Sequence, residues 1–324
     1  MDVLNFADAI VAFLNIGLFG SLVSRFTGAN MSILVFCALL YTGCDPIEAV
    51  GVMLTYLVFM RLTIYTQNEK LNFKKLHFFK GFRIFLPVLL ILLCVFVYPF
   101  GALAIFLLVF MTEVLYKRWT NVPENQRASS GELTKWIVIG SILATIGMIC
   151  VKFIPASLYY IIAGIVGLLL CVFCWWLGQS RDRLSDSWEK IVLLSFLFSG
   201  LFGFDMGDWL DDMRRNMNRS KIAYNFPFIF LPVFFVAFVM ANLLFGIFSI
   251  SGLIITFFGA IGLRLFGYYE MSRKGKANLL SLGITILAVL LLLITAPEPT
   301  GISKTVDAIL PVASYGFKGL LNMF

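Results

Sequence analysis

The chain has 324 residues, of which 60% are hydrophobic and only 13% charged, and its mean hydropathy is +0.93. Soluble globular domains hold about 45–50% apolar and about 25% charged residues, so a soluble globule is excluded and an all-α polytopic membrane protein is indicated. The net charge of +7 lies in loops beside apolar runs, where a cytoplasmic bias of basic residues explains it better than nucleic-acid binding does.

A helix crosses a hydrocarbon core of ~30 Å with about 20 apolar residues. Ten spans are predicted on that basis: 3–24, 46–66, 84–99, 101–117, 135–153, 156–178, 189–204, 222–244, 250–268 and 278–296. The runs are too long and too uniformly apolar for the alternating strands of a barrel. The first begins Met1-Asp2-Val3-Leu4-Asn5, with no basic region and no small-residue cleavage site, so it is expected to remain as a span rather than leave as a signal peptide.

The chain then breaks at Arg25-Phe26-Thr27-Gly28-Ala29-Asn30, and residues 29–43 make a half-helix at most. Asp45 as N-cap, Pro46 at the first helical position and Glu48 completing a capping box open the next helix. Two helix N-termini near Asn30 and Asp45 are thus expected to offer N–H groups and positive dipole ends to an anion. An ordinary helical hairpin turn is the competing reading.

Loop 67–83 is basic and holds the single histidine, His77, while the turn Tyr98-Pro99-Phe100-Gly101 is uncharged. Cys171 and Cys174 have metal-ligand spacing inside a span, where small apolar packing residues are the better reading; no metal, cofactor or disulfide framework is expected among the six cysteines.

The second half repeats the first break. Gly28-Ala29-Asn30-Met31 recurs 175 positions later as Gly203-Phe204-Asp205-Met206, and Ala49 and Ala223 follow the two glycines by 21 and 20 residues. Residues 205–219 then carry Met206, Leu210, Met213 and Met217 at helical spacing among Asp208, Asp211, Asp212, Arg214, Arg215 and Arg219. This amphipathic stretch either lines an aqueous cavity, with Arg214 or Arg215 as anion partner, or lies at the interface with its charges neutralising one another. In the next span Asn225 sits before Pro227 and Pro232 and is read either as facing the bundle interior or as a cap.

Placing the loops 67–83, 116–135, 179–190 and 270–276 in the cytoplasm puts both termini outside. In the first half a basic loop precedes an uncharged turn, whereas in the second half that order is reversed. The fold expected is two inverted-topology helical repeats with broken helices: repeat 1–117, a two-helix connector over 118–188, the inverted repeat 189–296 and a tail 297–324. Paired breaks in such halves point to a transporter's substrate site.

Pro46, Ala49, Val50 and Gly51, the run Leu71-Asn72-Phe73 before Lys74 and Lys75, and Leu201-Phe202-Gly203 with Ala223 resemble the TauE/SafE family of sulfur-anion permeases. The family's multi-glycine loop is reduced here to Gly28 and Gly203, and its small hydroxyl residues give way to Val52 and Met53. The resemblance implies a permease of the cell membrane for a small sulfur oxyanion or organosulfonate.

Candidate substrate-binding residues are Thr27, Gly28, Asn30 and Met31 at the first break, Gly203 and Asp205 at the second, with Asn225, Arg214 and Arg215. Asn30, Asp205 and Asn225 are expected to converge near the bilayer midplane. Asp205 would repel an anion by about 4 kcal/mol at ~4 Å and an effective dielectric of 20, which makes a proton a candidate co-substrate; alternatively it caps a helix or pairs with an arginine. No catalytic constellation appears, so the second function class is a non-transporting scaffold or partner-binding subunit.

The charge alternation predicts that cysteines placed at the termini, Tyr98 and Ser251 react with external reagent and that those at Lys74, Arg127, Arg183 and Lys274 do not. Labelling in a cysteine-free background checks this; external reaction at Lys74→Cys sinks the inverted-repeat reading.

Overall fold

The computed structural model describes residues 3–27, 30–69, 77, 84–179, 188–205, 225–246, 249–266 and 279–295. Among them it is all-helical. In chain order the helices are α1 Val3–Thr27, α2 Met31–Tyr41, α3 Pro46–Glu69, α4 Phe85–Val97, α5 Pro99–Asn121, α6 Ser130–Val151, α7 Ala156–Gln179, α8 Trp188–Phe202, α9 Phe226–Phe245, α10 Ile250–Phe266 and α11 Leu279–Thr295. Four stretches, Pro46–Thr66, Phe100–Asn121, Ser130–Val151 and Phe226–Phe245, are long and apolar enough to cross a bilayer, which marks the chain as a membrane protein. The exposed Leu86, Leu92 and Leu93 of α4 suit a lipid-facing surface.

Several boundaries differ from those read off hydropathy, each for a local reason. The span expected to run to residue 99 ends at Val97, because Pro99 opens α5 and holds the preceding Tyr98 extended at φ −151°. The span expected from 135 begins at Ser130: the Ser129 hydroxyl accepts from the Glu132 N–H at 3.2 Å, so the charged first turn is helical. The half-helix expected over 29–43 is α2, only 11 residues long. It ends in a Schellman motif, in which Gly43 at φ 77° donates to Leu40 O at 2.9 Å and Cys44 N–H donates to Leu39 O at 3.3 Å.

Glycines set how closely the helices approach. A Cβ on Gly17 of α1 would lie 2.4 Å from Ile255 O of α10, and one on Gly262 of α10 would lie 1.8 Å from the Ser21 hydroxyl. The two contacts advance together along both helices, so α1 and α10 run parallel. The same test places Gly252 against Val52 O and Gly259 against Met60, making α3 parallel to α10 as well. On the other side, Gly200 of α8 meets Ala144 O of α6, and Gly147 of α6 meets Leu197 O of α8. Gly164 and Gly167 of α7 meet Leu293 and Val289 of α11, an antiparallel pair. Small residues at crossings are how membrane helices gain dispersion contact without a hydrophobic drive between them. The centre is filled by rings, with Phe36 edge-on to Tyr159, Phe202 and Phe204 at 5.0–6.4 Å between centroids.

A methyl group at position 200 would sit 1.9 Å from the Ala144 carbonyl oxygen, which is backbone and cannot swing away. Gly200→Ala is expected to cost about 1–3 kcal/mol or more through overpacking, whereas Gly131→Ala, with nothing within 4 Å, should be nearly neutral. Melting temperatures in detergent check this, and an unchanged value for Gly200→Ala overturns the close α6–α8 approach.

Candidate functional site

The first break is built by Asn30. Its backbone is extended (φ −65°, ψ 115°), and its Oδ1 accepts from Ser32 N–H at 2.9 Å and Ile33 N–H at 3.4 Å, capping α2. The expectation that the start of α2 offers its N–H groups to an anion is thereby corrected: the side chain of Asn30 already takes two of them, and the Ser32 hydroxyl donates to the same Oδ1 at 2.7 Å. An N-cap asparagine satisfies helix-start N–H groups that are otherwise left without an intrahelical partner.

The second break is built by Gly203. It stands at φ 65°, and a Cβ there would lie 2.2 Å from Met53 Cβ on α3, so both conformation and space demand glycine. The Ser199 hydroxyl contacts Phe204 O at 2.8 Å and fastens the turn.

These two breaks meet. Asn30 Nδ2 donates to Asp205 O at 3.0 Å, and Asp205 N–H donates to the Ser32 hydroxyl at 2.9 Å, so one residue pair of the first half holds both backbone groups of Asp205. The Asp205 carboxylate turns to α3, where Arg61 Nε donates to Oδ2 at 2.5 Å. Both side chains are buried, 7% and 8% exposed. Arg61 lies roughly 22 Å along α3 from Pro46 and about 12 Å from Glu69 at 1.5 Å per residue. Both distances place it well inside a helix long enough to span the bilayer.

Two neighbouring tyrosines of α7 serve the same region. Tyr159 donates to Leu201 O at 2.7 Å, next to the end of α8, and Tyr160 donates to Cys44 O at 3.0 Å, between α2 and α3. Helix ends leave carbonyls without intrahelical donors, and α7 supplies one to each break.

The other candidates are distributed differently. Thr27 is the last residue of α1, and Gly28, Arg214 and Arg215 lie outside the described residues. Met31 is a packing residue: its methyl group would be 3.0 Å from a Cβ on Gly259 and 4.0 Å from one on Gly20, in the seam of α1 and α10. Asn225 opens α9 without a side-chain cap bond; it is fully buried, and its Nδ2 donates to Gln126 O at 2.9 Å, tying it to the turn before α6.

Sequence reasoning passed over Arg61. The signal was present: it is the one charged residue between Glu48 and Glu69 of an apolar span, and lone ionisable residues at membrane depth mark functional positions. Glu113 carried the same signal on α5. Its fully buried carboxylate accepts the His77 N–H with both oxygens at 2.9 Å, and the His77 imidazole stacks on Tyr116.

No family model matches this chain, and neither a curated protein nor a solved structure does. The likeness to sulfur-anion permeases therefore stands on the residues quoted for it, of which Ala49 and Val50 are buried in the first turns of α3.

Asn30→Ala removes the α2 cap and the donor to Asp205 O together. It is expected to destabilise the folded protein by about 1–3 kcal/mol, more than Asn30→Asp, which keeps an acceptor for the cap. Thermal unfolding of both variants checks the order; a wild-type melting temperature for Asn30→Ala overturns the clasp between the breaks.

Proposed function

We propose that the chain is a secondary membrane transporter for a small anion, working by alternating access of two inverted helical repeats. The observation that carries this reading is the clasp itself: two breaks 175 residues apart meet at a buried ion pair, Arg61 with Asp205. Carriers built from inverted repeats bind substrate where broken helices of the two halves face each other, and a buried cation there favours an anionic solute. The resemblance to the TauE/SafE family adds the substrate class, a sulfur oxyanion or organosulfonate. Localisation to the cell membrane with extracytoplasmic termini belongs to the same proposal.

Helix packing supports a particular division of the repeats. Helices α1 and α3 lie along α10, while α8 and α6 lie side by side and Gly140 of α6 touches Val233 of α9. Helices α3 and α9 contact one another, as do α7 and α11. Matching α1, α3, α6 and α7 with α8, α9, α10 and α11 carries each of these contacts onto another or onto itself. On this matching the insertion is the α4–α5 hairpin, and α6 and α7 complete the first repeat rather than connect the two. Each repeat then lends two helices to the other, which gives the assembly two equivalent ways to close.

Counterflow in proteoliposomes tests the transport reading. Labelled sulfite is expected to accumulate against unlabelled sulfite inside, and folded protein that moves none of a panel of small sulfur anions returns the scaffold reading. Coupling is tested at Asp205. Of the described residues, α3 presents Arg61 to it and α2 the neutral Asn30 and Ser32; the charged stretch 206–219 lies outside the described residues. A proton taken by Asp205 as the anion enters would keep the site neutral, so Asp205→Asn should abolish acceleration by an inward proton gradient. Unaltered pH-driven flux in the folded variant rules out coupling through this carboxylate.

A further inference from the structure

Resting on that transport reading of the same site, we propose that Arg61 is the anion-binding side chain and that Asp205 is a tethered carboxylate standing in for the substrate until a soluble oxyanion replaces it. Three observations converge on this. First, the ion pair is more than the break needs: Asn30 Nδ2 already donates to the C=O of Asp205 at 3.0 Å, and the Ser32 hydroxyl accepts its N–H at 2.9 Å. Second, the charge is costly where it stands. A guanidinium stays protonated at any physiological pH, and enclosing it inside a spanning helix carries a desolvation penalty that a well-packed apolar pair would avoid. A purely structural contact between α3 and the second break has cheaper solutions, and the apolar one is in place alongside it, with Gly203 packed on Met53 one side of the turn. Third, Asp205 addresses Arg61 with a carboxylate oxygen, Oδ2 accepting from Nε at 2.5 Å. A soluble oxyanion with two or three oxygens on one centre offers the guanidinium the same charge-assisted contact.

The geometry therefore points to a ligand class. Sulfite, sulfonates and carboxylates present oxygens that match the planar fork of Arg61, whereas chloride presents a sphere and no fork. The tethered carboxylate also sets the affinity. Asp205 competes intramolecularly, at an effective concentration on the order of millimolar, so the soluble anion binds Arg61 only to the extent that the resident pair opens. Removing the competitor must tighten binding, and removing the cation as well must abolish it.

The test reads anion-dependent thermal stabilisation in non-ionic detergent, free of added phospholipid so that headgroup phosphate cannot occupy the site. Sodium sulfite is compared with sodium chloride at equal ionic strength. Wild-type protein should be stabilised by sulfite and not by chloride. Asp205→Asn should reach half its stabilisation at a sulfite concentration lower by about tenfold or more, and the double variant Arg61→Gln with Asp205→Asn should fold but ignore sulfite. A double variant that responds like wild type, or an Asp205→Asn response at unchanged or higher sulfite, overturns the proposal. Should Asp205→Asn not fold, Arg61→Lys decides. It keeps the charge and loses the fork, so selectivity for sulfite over chloride should collapse; preserved selectivity overturns the assignment. Counterflow of the same proteins separates this inference from the transport reading. Stabilisation by sulfite with no flux in wild type sinks transport and leaves the Arg61 site standing, whereas flux that persists in the double variant sinks the Arg61 site and leaves transport.

Discussion

Inside a bilayer no water is present to satisfy a backbone N–H or C=O, so a helix that stops at membrane depth must find protein partners for the groups it exposes. The arrangement around Asn30 and Asp205 follows from this requirement. Helix α8 ends at Phe202 and α2 begins at Met31, and each end leaves backbone groups that need partners. Asn30 caps α2 with its oxygen and reaches Asp205 O with its nitrogen; Ser32 donates to Asn30 and accepts from Asp205. The tyrosines of α7 complete the accounting at Leu201 and Cys44. The two breaks are thus joined by direct hydrogen bonds as well as closed by local ones.

Close helix contacts make that meeting possible. With glycine at 17, 259 and 262 on one side and at 147 and 200 on the other, α1 seats on α10 and α6 on α8 with backbone near backbone. These crossings rest on van der Waals contact rather than on hydrophobic exclusion, since lipid is as apolar as the helices themselves. Contacts of that kind are sensitive to single methyl groups.

The Arg61–Asp205 pair has the opposite character. It is directional, charged and buried, and losing one partner strands the other in a low-dielectric interior at a cost of about 3–5 kcal/mol. A neutral polar clasp alone would have closed the break. The buried cation there is the observation on which the proposal of anion chemistry rests.

The sequence by itself determined that the chain is helical and membrane-embedded, and it gave the approximate course of each helix, because hydropathy over about 20 residues is a property of consecutive positions. It also singled out Gly203, through the recurrence of the Gly28 motif, and drew Asn30 and Asp205 together as equivalents. It placed Asn30 as an anion-facing helix start, whereas the side chain turned back onto Ser32 and Ile33. Only the tertiary structure decided that Asp205 is answered by Arg61, 144 residues away on another helix, that Asn225 serves the Gln126 turn and that Met31 packs rather than lines the break. The reason is that partner choice for a buried polar group is settled by which helix faces meet across the bundle, and no local pattern of residues encodes a contact between α3 and the end of α8.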